Sequence, residues 1–202
     1  MTVRPGDRAS YDRARNRPFE RAELLSRIAL PFGRPATITY FQYIAPGSTA
    51  SLPAIIGQVH NSAEASERPL PAIIAMEMNG GVQRILTHSV RERFALASPK
   101  SMIRWSAPAT LGRWVHWIWE VTPDPVAGHL RVWRNGIAII DSTMPLGYND
   151  PRGPYWQFGI YRVQDRGVIR VAYSNMSVRL GPAGSVASTP PPPPRCTVPP
   201  LH

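Results

Sequence analysis

A chain of 202 residues and 22.4 kDa is long enough for one domain with a sizeable core and too short for two large ones. With 43% hydrophobic and 18% charged residues it is not wholly disordered, no apolar run nears the roughly 18–20 residues of a membrane span, and one cysteine, Cys196, excludes an intrachain disulfide or a cysteine-built metal cage. The formal charge of +10 rests almost wholly on arginine, Lys100 being the single lysine, so a polyanionic partner is expected: an acidic polysaccharide, a nucleic acid or an anionic surface.

The first residues, MTVRPGDRASYDR, are polar and show no secretory leader. Residues 4–17 combine Arg4, Arg8, Arg13, Arg15 and Arg17 with Asp7 and Asp12 and almost nothing apolar, which reads as a solvated loop. From residue 20 to 180 the signal is alternation with period two. Predicted strands are residues 20–27 (ERAELLSR), 36–44 (ATITYFQYI), 54–60 (AIIGQVH), 72–78 (AIIAMEM) and 83–89 (QRILTHS). Further strands follow at 114–121 (WVHWIWEV), 130–133, 137–141, 155–163 (YWQFGIYRV) and 168–180. Asn79-Gly80-Gly81 and Arg134-Asn135-Gly136 are hairpin signals. About ten short strands predict an all-β sandwich of two antiparallel sheets, a jelly roll, over residues 1–180. Residues 181–202 carry eight prolines and read as a disordered Pro-rich tail.

Three strands carry polar residues at period-two spacing, hence on one face each: Arg21 and Glu23; Gln58 and His60; Tyr155, Gln157, Gly159 and Tyr161. Trp156, Phe158 and Ile160 take the other face of the last strand. Gly159 removes a side chain from the polar row, as close approach of a ligand requires.

These segments, ERAEL, QVH and YWQFGIYR, resemble in type and order the signature segments of the jelly-roll polysaccharide lyases, a group that includes heparin lyase I, glucuronan lyase and alginate lyases. The block GRWVHWIWEV…GHLRVWRNGIAIID resembles that family's Trp-rich strand and hairpin. The resemblance covers about residues 3–180 and implies a concanavalin-like jelly roll. It implies β-elimination on a uronate-containing glycan: the sugar carboxylate is neutralised, a base takes the C5 proton and an acid protonates the leaving O4. It implies that Gln58, with Arg21, neutralises the carboxylate. His60 acts as base or neutraliser, and Tyr161 acts as acid or as both acid and base. Tyr155, Gln157 and Glu23 line the substrate. It also implies a periplasmic or secreted location.

The chain departs from the pattern twice. Gln157 stands where the family usually has lysine, and the chain begins at the segment resembling VRPGDRA, so that an early strand and a leader are expected to be missing.

Each residue also has a plainer reading. His60 alone is an ordinary strand histidine, Tyr155 and Tyr161 are half-buried sheet aromatics, and Arg21–Glu23 is a structural ion pair. Trp114, Trp117, Trp119 and Trp133 read mostly as core, with one or two free to stack on sugars; His88, His116 and His129 read as structural. Asp141, Asp150 and Asp165 offer the oxygen ligands of a Ca²⁺ site without matching a calcium loop; no cofactor is otherwise expected. The alternative function is a non-catalytic carbohydrate-binding module on the same sandwich. A nucleic-acid partner is not expected, for want of a recognition helix, zinc finger or RNP-like motif. A membrane partner is not expected either, and a monomer is.

Overall fold

The computed structural model describes residues 1–62, 70–92, 99, 101–184 and 191–194. Lys100, Cys196 and most of the Pro-rich tail lie outside the described residues. In chain order the elements are β1 (Thr2–Val3), α1 (Ser10–Ala14), β2 (Phe19–Ala29), β3 (Ala36–Ile44), β4 (Ala54–His60), β5 (Ile74–Asn79) and β6 (Val82–Thr87). They continue with β7 (Ser89–Val90), β8 (Met102–Pro108), β9 (Trp114–Thr122), β10 (Asp124–Arg134), β11 (Ile137–Tyr148), β12 (Tyr155–Val163) and β13 (Ile169–Leu180).

The strands form the expected two-layer sandwich. One sheet has the order β1-β13-β3-β9-β10-β11-β7, the other β2-β12-β4-β5-β6-β8. Every pairing is antiparallel except the short β11–β7 contact. Alternation decides which side chains fill the space between the sheets. From the seven-stranded sheet come Ile38, Tyr40, Trp117, Trp119, Leu130 and Val132, and from the six-stranded sheet Ile56, Met76, Ile85, Trp156, Phe158 and Ile160, all buried. Each large apolar side chain so buried contributes about 1.5–3 kcal/mol. Both hairpin signals hold: Gly80–Gly81 and Asn135–Gly136 each have positive φ at both central positions, matching the twist of the strands they join.

Strands β1 and β8 escape the alternation rule. The first is two residues long, and the second is a sheet edge with Met102 and Ile103 exposed. Strand β11 runs on through Pro145, which is tolerated because β7 meets β11 only at Gly147 and Tyr148.

The arginine-rich start is not a solvated loop. Val3 lies in the core and Asp12, on α1, is fully buried. Arg21 Nε lies 2.7 Å from Asp12 Oδ2, and its Nη2 donates to Oδ1 at 3.1 Å. The Gly6 amide donates to Glu20, which is itself buried against Arg162, with Nε and Nη2 both 2.8 Å from its Oε2. Those partners lie on β2 and β12, so a local reading sees only the charges. At the other end, residues 181–183 still pack on the body: the Ala183 amide donates to Glu120 Oε2 at 2.6 Å and Ala183 is buried.

Candidate active site

The three polar strand segments are neighbours in the six-stranded sheet, in the order β2, β12, β4. Register places Arg21 opposite Tyr161 and Glu23 opposite Gly159. On the other flank Gln58 faces Gln157 and His60 faces Tyr155. Arg21, Glu23, Gln58, His60, Tyr155, Gln157 and Tyr161 therefore share the outer face of one sheet. The opposite set, Trp156, Phe158 and Ile160, is buried in the core.

Both β4 and β12 break register here, β4 between Ile55 and Gln58 and β12 between Gln157 and Tyr161. Bulges of this kind re-aim side chains beside functional sites. Gly159, in the β12 irregularity, has φ +128°, and a Cβ there would meet Ala22 O at 2.1 Å. The glycine thus permits close approach of β2, which corrects the expectation that it clears space for a ligand.

A buried carboxylate lies at the centre. The Glu23 side chain is 5% exposed. Its Oε1 accepts from Gln58 Nε2 at 2.7 Å, and Gln157 donates to the same carboxylate. Its Oε2 has no hydrogen-bond partner, with Arg21 Nη1 3.7 Å away. Burial outweighs the donors and pushes the Glu23 carboxyl up to about 7. Glu23, 5% exposed, is thus hydrogen-bonded to Gln58 on this face.

Arg21 is divided among several partners. Its main one is Asp12, and its guanidinium carbon stands 4.6 Å from the centre of the Tyr161 ring. Phe19 packs the same ring at 5.1 Å. Burial raises the Tyr161 phenol above its ordinary value, against the pull of Arg21, so it is protonated at neutral pH. Burial likewise raises Tyr155, with the Glu23 charge adding to it.

His60 Nδ1 lies 3.0 Å from the Asn61 carbonyl. A carbonyl only accepts, so Nδ1 carries the proton and Nε2 presents a lone pair. Burial lowers the His60 pKa, which keeps the ring neutral at neutral pH. The His60 and Tyr155 rings stand 5.9 Å apart. Beyond Tyr155 the face runs into a cavity of about 410 Å³ lined by Leu25, Arg27, Ser62, Arg152 and Tyr155.

The sequence reading missed Asp12, Arg27 and Arg152. Nothing local marks Asp12, because its partner is nine residues away across a turn. Arg152 carries a weak signal, a basic residue in the NDPRGP turn just before the motif strand.

Other candidates fall elsewhere. Trp117 and Trp119 are core, while Trp114 and Trp133 belong to the seven-stranded sheet, away from this face. His88 Nδ1 meets the Ala72 carbonyl at 2.7 Å, His116 packs on Phe41 and His129 pairs with Asp141. Asp165 accepts from Ser51, Leu52 and Gly167, Asp141 pairs with Arg131 and His129, and no group of three metal-ligating side chains occurs among the described residues. No helix among the described residues is long and apolar enough to cross a membrane.

Comparison with known proteins agrees with the sandwich. An endo-β-1,4-glucuronan lyase from the fungus Trichoderma reesei superposes with a TM-score of 0.71 at 13% identity, over 92% of this chain and 82% of that one. An alginate lyase from Pseudomonas aeruginosa gives 0.54 at 19% identity, over 82% and 77%. The family 7 alginate lyase A1-II′ gives 0.59 at 14% identity, over 90% and 78%. No curated protein matches the chain. The family model described as polysaccharide lyase matches residues 3–177. With that match spanning nearly all of the sandwich, the chain belongs to the polysaccharide lyase family and is a lyase of jelly-roll fold.

Proposed function

We propose that the protein cleaves an acidic, uronate-containing polysaccharide by β-elimination on the outer face of the six-stranded sheet. The observation that carries this reading is one shared face holding an amide donor, a neutral imidazole with a free Nε2 and a protonated phenol. Gln58, with Arg21 behind it, hydrogen-bonds the sugar carboxylate as charge develops at C5. His60 Nε2 takes the C5 proton, the C4–C5 double bond forms, the C4–O4 bond breaks and Tyr161 protonates O4. The imidazolium and phenolate then exchange protons with solvent. A sugar with both groups on one face would require Tyr161 to serve as base too, and a phenol raised by burial disfavours that route. Tyr155 and Gln157 line the binding face, and the net charge of +10 draws a polyanion to it. A polymeric substrate of this class agrees with a periplasmic or secreted protein.

The test is ultraviolet absorbance with glucuronan, alginate, heparin, hyaluronan and pectate. Absorbance that rises with one of them, from the new double bond, is the expected result. A flat trace with all five, from folded protein, overturns the reading and leaves saturable binding without product as the outcome to examine.

A further inference from the structure

The charges beneath the binding face do not cancel when Glu23 is ionised. Asp12 is fully buried and engages Arg21 through Nε at 2.7 Å and Nη2 at 3.1 Å, so one positive charge is matched there. Glu23 then adds a second negative charge with no cation of its own. Its nearest cation is that same Arg21 at 3.7 Å, and its close partners, Gln58 and Gln157, are neutral amides. The other titratable groups facing it are phenols, Tyr155 and Tyr161 on β12 and Tyr173 on β13. His60, on β4, is neutral at neutral pH. A sugar carboxylate bonded to Gln58 would therefore lie against an unmatched buried anion.

Two negative groups sharing a site cannot both stay ionised in a medium that screens so weakly. The one with a cheap alternative is Glu23, which is already held close to neutrality by burial. We propose that Glu23 is a positioning residue that takes up one proton from solvent when a uronate enters the site, and that its neutral carboxyl holds the Gln58 amide with an N–H toward the sugar carboxylate. This deepens the uronate-lyase reading and rests on it. No bond other than the new O–H on Glu23 forms in this step. Gln157 gives it a sequence basis: a lysine there would supply the missing positive charge and remove the need for the proton.

The experiment is titration calorimetry of tetrasaccharides of glucuronan and alginate into the Tyr161→Phe variant, at pH 6 and pH 8, in buffers of different ionisation enthalpy. At pH 8 the expected result is uptake of about one proton, with affinity weakening about tenfold per pH unit above pH 7. Adding Glu23→Gln should abolish the uptake and flatten the pH dependence of affinity, and adding Gln157→Lys should do the same. Adding His60→Asn should leave the uptake at pH 8 in place. Binding without uptake, or uptake that survives both Glu23→Gln and Gln157→Lys, overturns the inference and leaves the lyase reading standing. Failure of both tetrasaccharides to bind folded Tyr161→Phe overturns the inference, while the absorbance assay with all five polysaccharides decides the uronate reading separately.

Discussion

The two outer faces of the sandwich have the same pattern in sequence and opposite characters in space. On the seven-stranded sheet Glu120, Arg131, Trp133 and Asp141 present carboxylates, a guanidinium and an indole at period-two spacing, beside a cavity of about 500 Å³. There the charges satisfy one another. Arg131 Nε bonds Asp141 at 3.1 Å and its Nη1 lies 3.9 Å from Glu120; His129 meets Asp141 at 2.9 Å, and the Ala183 amide closes on Glu120. On the six-stranded sheet Glu23 keeps an unbonded oxygen and His60 keeps a free ring nitrogen. A face whose polar groups are paired within the protein has little left to offer a ligand. A face that leaves some unpaired at a cost in stability is where chemistry is expected.

The sharpest way to break this comparison is to remove the acid or the base. Tyr161→Phe and His60→Asn should each lower the rate of double-bond formation about 10²–10⁴-fold, read as initial ultraviolet rates, with melting temperatures close to the parent. Trp133→Ala should leave that rate unchanged. A large loss from Trp133→Ala instead would reassign the active face.

Next in size is the buried ion pair under the site. Arg162→Met strips Glu20 of its charged partner on the core side of β12 and should cost about 3–5 kcal/mol in denaturant unfolding. The corresponding pair on the opposite face, probed by Arg131→Ala, should cost no more than about 1 kcal/mol, because Asp141 is largely exposed. Equal losses would mean that the two faces do not differ in how their charges are buried.

The pH dependence of stability sharpens the contrast further. The Glu23 carboxyl is raised in the folded state, so its contribution is fully present below its unfolded value of 4.5 and is lost as pH rises through about 7. Glu23→Gln should therefore gain stability relative to the parent on going from pH 4.5 to pH 8, by roughly 3 kcal/mol at one pKa unit per 1.36 kcal/mol. The histidines act in the other direction. His60, His88 and His116 are lowered by burial, so the stability they contribute is present above about 6.5 and falls as pH drops through their folded values. Unfolding midpoints of parent and variant at the two pH values check both signs.

The legible part of this molecule was its alternation. Strands β3, β4 and β12 begin and end where period two places them, and both hairpins turn at the Gly-Gly and Asn-Gly steps. The residues on the polar side of β2, β4 and β12 were readable for the same reason. Asp12 was not, because an acidic residue in an arginine-rich segment looks solvated until its partner on the next strand is known. The depth of Glu23 was not readable either, because spacing gives the face and not the depth. Gly159 was misjudged because a missing side chain does not say which neighbour needed the room.

By itself the chain's sequence determined two sheets, their core-facing rows and the set of polar side chains on each outer face. Each follows from the backbone geometry of a strand, which is local. Only the tertiary structure decided which polar groups on each outer face find partners. That depends on partners brought together from α1, β2, β4 and β12, and on how deeply each charge is buried. Depth, unlike alternation, is a property of everything packed around a residue, and it is what raises the Glu23 carboxyl.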